Sequence, residues 1–255
     1  MNAALIHLAT RPTPEATLGR ALELLQEAHQ AGAELAVLPE LFPSGYRYPD
    51  AAYTPSVLAA LEAFASQSGL SLVAGVLEQA GERYANRAWV IGPAGRQAVY
   101  SKTHLIPAFG EPQTMVPGES LVQLELGGFR LGIAICFDLR FPELFRAYAL
   151  EGVDVFVVPS AWPKSRSYAW ELFCKARAAE NQAYLLAANH AEEPFGAASL
   201  AVDPLGLEML RLEGEGVGVV ALEPGRPARL RQEFPVLPQR RPELYQGLLK
   251  SPTNR

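Results

Sequence analysis

Three side chains in this sequence stand where chemistry is easiest to arrange: Glu40, Lys102 and Cys136, each closely following a short apolar run. Cys136 ends Leu131-Gly132-Ile133-Ala134-Ile135, the composition of a strand buried on both faces. After it come Asp138, Arg140 and a Pro142-Glu143 pair that opens a predicted helix reaching Glu151. Backbone N–H groups point outward at a strand-to-helix turn and the helix dipole favours a thiolate, so a cysteine there is a candidate nucleophile. Glu40 lies within Pro39-Glu40-Leu41-Phe42-Pro43-Ser44-Gly45-Tyr46, where prolines and aromatics desolvate an acid and suit it to taking a proton. Lys102 could place an ammonium beside a thiolate and stabilise an oxyanion. Read singly, each has a plainer alternative: a small buried hydrophobe, a solvated loop carboxylate and a surface lysine. Read together, they form a base, an electrostatic stabiliser and a nucleophile, gathered beyond strand ends where α/β proteins build sites. His104, two residues from Lys102, leaves a Cys–His pair as the alternative arrangement. Cys174 lies mid-helix among apolar neighbours and reads as structural.

The elements that must position these groups follow from periodicity. A strand at Ala3–Ala9, a helix at Thr13–Gly32 and a strand at Leu35–Pro39 make a β-α-β unit, with Thr13 as cap and Pro14 at the first helical position. A second helix spans Pro55–Gly69. Strands at Leu70–Leu77, Tyr84–Ile91 and Gln97–Tyr100 follow, the last two joined by a Gly-Pro-Ala-Gly turn. Ala108–Gly118, which carries Glu111, reads as a Pro/Gly-rich binding loop. Strands at Leu121–Leu126 and Phe129–Ile135 lead to Cys136. A strand at Val153–Pro159, a helix at Tyr168–Asn181, a strand at Ala183–Asn189 and short antiparallel strands from Ser199 to Leu222 complete the pattern. The proline-rich tail from Pro224 through Arg240-Arg241-Pro242-Glu243-Leu244-Tyr245 to residue 255 reads as an extended arm of the kind that packs on a partner subunit. No repeat or composition shift divides the chain, so residues 1–255 are expected to form one domain with a mixed sheet system covered by helices.

Composition narrows the function classes. With 49% hydrophobic and 19% charged residues, a sizeable core is expected. The net charge of −5 argues against a nucleic-acid footprint. No apolar run approaches the roughly 20 residues that cross a bilayer. The first ten residues lack a basic leader, and the two cysteines make a poor disulfide framework, so a reduced, cytoplasmic setting is expected. The four histidines are scattered and no His/Cys cluster has zinc spacing, so no metal is expected.

Three blocks make the sequence resemble the nitrilase, or carbon–nitrogen hydrolase, superfamily: Leu38-Pro39-Glu40-Leu41-Phe42 with Gly45-Tyr46, Tyr100-Ser101-Lys102-Thr103-His104-Leu105, and Gly132 through Cys136-Phe137-Asp138-Leu139-Arg140-Phe141-Pro142-Glu143. Phe109-Gly110-Glu111, Lys175 to Gln182 and Asp203-Pro204-Leu205-Gly206 extend the likeness in order along the chain. The resemblance implies a four-layer α-β-β-α sandwich, no cofactor or metal, and a homodimer or higher homo-oligomer. It also implies roles: Cys136 as nucleophile forming a thioester, Glu40 as general base, and Lys102 with the Phe137 backbone N–H as oxyanion hole. Glu111 would position Lys102 or the substrate.

Within that superfamily the chain looks most like the small amidases, which include ω-amidases for 2-oxoglutaramate or 2-oxosuccinamate and amidases for deaminated glutathione. Carbamoyl-amine hydrolases, nitrilases and a non-catalytic scaffold are the alternatives. Nitrilases usually carry tryptophan directly after the cysteine, where this chain has Phe137. A small anionic amide needs a cation, for which Arg140, Lys164 and Arg166 are candidates. Tyr46 and Trp162 are further expected substrate contacts.

Overall fold

The computed structural model describes residues 1–244. In chain order it runs β1 (Asn2–His7), α1 (Pro14–Gln30), β2 (Leu35–Val37), α2 (Thr54–Ser68), β3 (Ser71–Ala80), β4 (Arg83–Gly92) and β5 (Gly95–Ser101). The second half comprises α3 (Glu111–Thr114), β6 (Gln123–Leu126), β7 (Phe129–Ile133), α4 (Pro142–Leu150), β8 (Val155–Pro159), α5 (Ser167–Asn181) and β9 (Tyr184–Ala188). It closes with β10 (Ser199–Val202), β11 (Glu208–Leu212), β12 (Gly216–Ala221) and α6 (Arg226–Glu233).

Two six-stranded sheets result, in the orders β12-β1-β2-β3-β4-β5 and β11-β10-β9-β8-β7-β6. Each has a parallel centre, β1-β2-β3 or β7-β8-β9, flanked by antiparallel strands. Alternation along β1 explains the layering: Ala3 and Leu5 join a core shared with the second sheet, while Ala4 and Ile6 pack with the apolar stripes of α1 and α2. Trp170 and Cys174 of α5 and Tyr148 of α4 cover the second sheet. The architecture is the expected α-β-β-α sandwich. Among the described residues no helix is long and apolar enough to cross a membrane.

The tail departs from expectation. Instead of leaving as an extended arm from Pro224, the chain forms α6, which docks back. Gln182 Nε2 donates to the Phe234 carbonyl at 2.8 Å, and Arg231 reaches the Val153 carbonyl at 2.5 Å. Pro227 at the start of α6 sets the helical φ there. The rest of the expected arm, from Tyr245, lies outside the described residues.

A buried histidine ties the two sheets. His7, the third inward position of β1, is fully buried, with Nδ1 2.8 Å from Ser199 Oγ on β10. Burial, helped by nearby His190, lowers its pKa from the ordinary 6.5 to about 4, against an opposing backbone contact from Asn189. The unfolded chain therefore binds a proton that the folded chain refuses. Stability tied to His7 is complete above about pH 6.5 and falls as the pH drops toward 4. Between pH 7 and 5 the expected loss is ~2 kcal/mol, a drop in Tm of roughly 4–8 °C. Thermal melts of wild type and His7→Gln test this. The variant should lose less over that interval, and equal losses would assign the acid sensitivity elsewhere.

Candidate active site

Glu40, Lys102 and Cys136 come from different places in the chain and meet between the two sheets. Glu40 follows β2, the central parallel strand of the first sheet. Gly75 on β3 makes room for it: a Cβ there would stand 2.5 Å from both Glu40 Cα and the Pro39 carbonyl oxygen. The backbone then turns through Leu41 at φ 51°, a left-handed conformation costly for a branched side chain. From the second sheet, the turn after β8 meets it: the Ala161 N–H donates to Glu40 Oε2 at 2.8 Å. Asn189 supports that turn by accepting from the Trp162 N–H at 2.7 Å.

Cys136 sits just past β7 at φ 45°, at the start of a 3-10 turn spanning Cys136–Arg140. The left-handed nucleophile forms a sharp, strained elbow that directs its side chain out of the strand line. Asp138 braces the elbow. Its carboxylate accepts from the Ile135 N–H (2.9 Å), Tyr100 hydroxyl (2.8 Å), Thr103 hydroxyl (3.0 Å) and His104 N–H (3.1 Å). His104 Nδ1 also lies 2.7 Å from Asp138 Oδ1, and its ring stacks on Phe141 at 3.6 Å. The Cys–His alternative therefore fails: His104 is occupied by Asp138 and Phe141, while the carboxylate facing the thiol is that of Glu40.

Lys102, fully buried, follows β5. Its Nζ donates to Glu40 Oε1 at 2.8 Å and to Glu111 Oε1 at 2.9 Å. Within the expected binding loop, Glu111 is the first residue of the short helix α3, after a 3-10 turn at Pro107–Phe109. It is fully buried, and accepts from the Ile106 N–H at 2.7 Å and the Tyr46 hydroxyl at 3.0 Å. Burial and the charges of Glu40 and Glu111 push the Tyr46 phenol well above its ordinary range, so it remains a donor.

These contacts alter one expectation. A lysine and a helix dipole were expected to favour a thiolate at Cys136. Burial first, then the Glu40 charge, instead push the Cys136 thiol well up, and the opposing pull of Lys102 does not outweigh them. The resting group is a thiol, because a thiolate would be buried away from water and would face Glu40. Attack therefore requires a base at hand.

The pocket above Cys136 is lined by Ile106, Phe109, Phe137, Arg140, Ala161, Trp162 and Arg166. Arg140 is held among aromatic faces, its guanidinium 5.0 Å from the Trp162 ring centre, 5.3 Å from Phe173 and 5.7 Å from Phe137. Burial and the neighbouring charge of Arg166 lower its pKa. Arg140, Trp162 and Arg166 thus gather at the pocket, and Phe137 follows the thiol directly. Tyr46 donates to Glu111, sits edge-on to the pocket-lining Phe109 at 5.7 Å, and lines the adjoining cavity with Phe109 and Arg166. Lys164 is not brought to the pocket. It is exposed, and its ammonium pairs with Glu193 at 3.4 Å.

Sequence reasoning missed Asn86 and the Ala161 N–H, both within hydrogen-bond distance of Glu40. Asn86 was detectable in principle. On β4 it occupies the same alternating face as Ala88 and Val90, so it is a polar residue at an apolar position. It is 1% exposed, with Nδ2 2.6 Å from Glu40 Oε1. The role of Ala161 left no such trace, since any residue type supplies a backbone N–H.

Known proteins resemble this chain over nearly its whole length. The sequence model of the carbon-nitrogen hydrolase family matches residues 2–232. The ω-amidase NIT2 of Mus musculus is 33% identical, with 98% of each chain covered. The deaminated glutathione amidase of Bos taurus is 32% identical over 96% of this chain and 83% of its own. A variant amidase from Nesterenkonia sp. AN1, solved with acrylamide joined to its active-site cysteine, superimposes with a TM-score of 0.87 at 28% identity. That match covers 97% of this chain and 99% of the other.

Proposed function

The chain belongs to the carbon–nitrogen hydrolase family, and from that premise we propose that it is a cysteine-dependent amidase releasing ammonia from a small, carboxylated ω-amide. The observation that carries the reading is a buried ammonium held between two buried carboxylates, beside a buried thiol at the base of a pocket.

In this reading Glu40 takes the Cys136 proton as sulfur attacks the amide carbon. The oxyanion is met by Lys102 Nζ and the Phe137 N–H, donors fixed before charge develops. The C–N bond breaks as Glu40 returns the proton to the nitrogen, and ammonia leaves a thioester. Glu40 then deprotonates a water, whose oxygen attacks the thioester carbon. The C–S bond breaks, releasing the carboxylic acid, and the proton on Glu40 restores the thiol. Glu111 keeps Lys102 aimed throughout.

The free carboxylate of the substrate is assigned to Arg140 and Arg166. Two features support this: both line the pocket holding Cys136, and the relatives include enzymes named for ω-amides. Incubating the enzyme with ω-amides of 2-oxo dicarboxylates, a carbamoyl amine and a nitrile, then measuring intact mass and ammonia, tests the reading. Release of ammonia from the carboxylated amides supports it, and preference for an uncharged member overturns the substrate class. Arg140→Ala and Arg166→Ala should each raise KM for a carboxylated amide by about 10-fold, one charge-assisted hydrogen bond lost. A neutral amide of equal length should change little, and equal effects on both would remove the carboxylate assignment.

A further inference from the structure

An ionised carboxylate has about four lone-pair sites, two on each oxygen. Protein donors fill three of those on Glu40. Oε1 accepts from Lys102 Nζ at 2.8 Å and from Asn86 Nδ2 at 2.6 Å, while Oε2 accepts from the Ala161 N–H at 2.8 Å. One site remains, on Oε2. We propose that Asn86 is a positioning residue that, with Lys102, closes Oε1 and makes Oε2 the oxygen that receives and returns the proton. The proposal rests on the reading of Glu40 as the general base.

The placement of Asn86 makes little sense as packing. It shares its strand face with Ala88 and Val90, and an amide buried there is costly unless its polar atoms are bonded. Among the described residues no donor reaches its Oδ1, so the position gives up stability at that end. Its other end reaches Glu40. The carboxylate can only accept, which fixes Nδ2 as the atom facing it. The backbone contributes as well, since the Asn86 carbonyl accepts from the Lys102 N–H at 2.9 Å. One residue thus sets both donors on Oε1: its own side chain directly, and Lys102 through the strand end.

The consequence is that one oxygen, Oε2, carries the proton in both directions. With Oε1 closed, a proton taken from the thiol cannot settle on the oxygen facing Lys102. Removing the Asn86 donor opens a second basic site and withdraws a contact that favours the charged carboxylate. The titratable groups around Glu40 are Lys102 from the end of β5, Cys136 from the elbow, Glu111 on the other side of the Lys102 ammonium, and Tyr46, which donates to Glu111. His190 donates Nε2–H to the Glu40 carbonyl at 2.6 Å. An Asn86 substitution alters none of these groups directly.

The test measures kcat and KM from pH 5 to 9 in wild type, Asn86→Leu, Asn86→Asp and Glu40→Gln, using the best amide of the panel. For Asn86→Leu, kcat should fall about 10- to 100-fold with KM within about threefold, since Asn86 does not line the pocket. The acid limb of its kcat/KM profile should move up by about 0.5–1 pH unit. Asn86→Asp, a carboxylate against a carboxylate, should lose more activity and shift further. A wild-type profile in Asn86→Leu overturns the proposal. So does a loss that is uniform across pH, because a packing role would not move the limb. If Asn86→Leu does not melt cooperatively, Asn86→Ser removes the same donor with less bulk and is judged by the same limb. Glu40→Gln separates the two levels: near-wild-type turnover there removes the base itself, whereas an inactive Glu40→Gln beside an unaffected Asn86→Leu removes only the role of Asn86.

Discussion

Cys136→Ala is expected to bring ammonia release to background, a loss of about 10⁴-fold or more, with no acyl adduct visible by intact mass. The chain should still fold. Cys136 is small and 2% exposed, and alanine meets the same φ of 45° without adding bulk. Glu40→Gln should follow with a loss of about 10²- to 10⁴-fold, for two reasons. A neutral amide cannot take the proton of a thiol that burial keeps protonated. Nor can glutamine satisfy the donors around it: its NH₂ group must face either the Ala161 N–H or the Lys102 and Asn86 donors on the other oxygen. Ammonia release from Cys136→Ala at the wild-type rate would remove the covalent mechanism altogether.

Lys102→Met should damage both stability and activity. The side chain is fully buried and is the cation shared by Glu40 and Glu111, themselves fully buried. Deleting one member of such a set leaves uncompensated charge in a dry space, a cost of ~3–5 kcal/mol, here lowering Tm by roughly 10 °C. Turnover should fall at least as far as in Glu40→Gln, because the oxyanion loses its charged donor. The pH dependence carries a sign. Burial alone would lower the Lys102 pKa, but the charges of Glu40 and Glu111 beside it raise it above the usual lysine range. Its contribution is therefore complete everywhere below the ordinary value of 10.5 and is lost only as the pH climbs through the raised value. The Tm difference between wild type and Lys102→Met should thus include no loss of the lysine charge between pH 5 and 9. A variant melting within about 2 °C of wild type would contradict the buried charge set.

Much of the framework was legible in the sequence because its signals are local. A short apolar run marked β1, Pro14 and Pro142 marked helix starts, and Glu40, Lys102 and Cys136 each closely follow a strand. Those signals span two to four residues, the range over which strand and helix periodicities operate. The same local reading saw no helix in the Glu111 segment and made the tail an arm, since prolines that initiate short helices also mark turns.

What the tertiary structure alone decided depends on neighbours far apart in sequence. Lys102 meets Glu40 across 62 positions, Asn86 meets it across 46, and the Ala161 N–H across 121. Which cations face the pocket was likewise undetermined: Arg140 is turned in by three aromatic rings, whereas Lys164, two residues from Trp162, is drawn away by Glu193. The protonation state of Cys136, for which the sequence offered both a stabilising lysine and a base, was undetermined for the same reason. Residue types and strand ends determined which chemical groups are present. Burial and electrostatic potential are sums over every group that both sheets bring together, so only the packed structure determined that the thiol rests protonated beside its base.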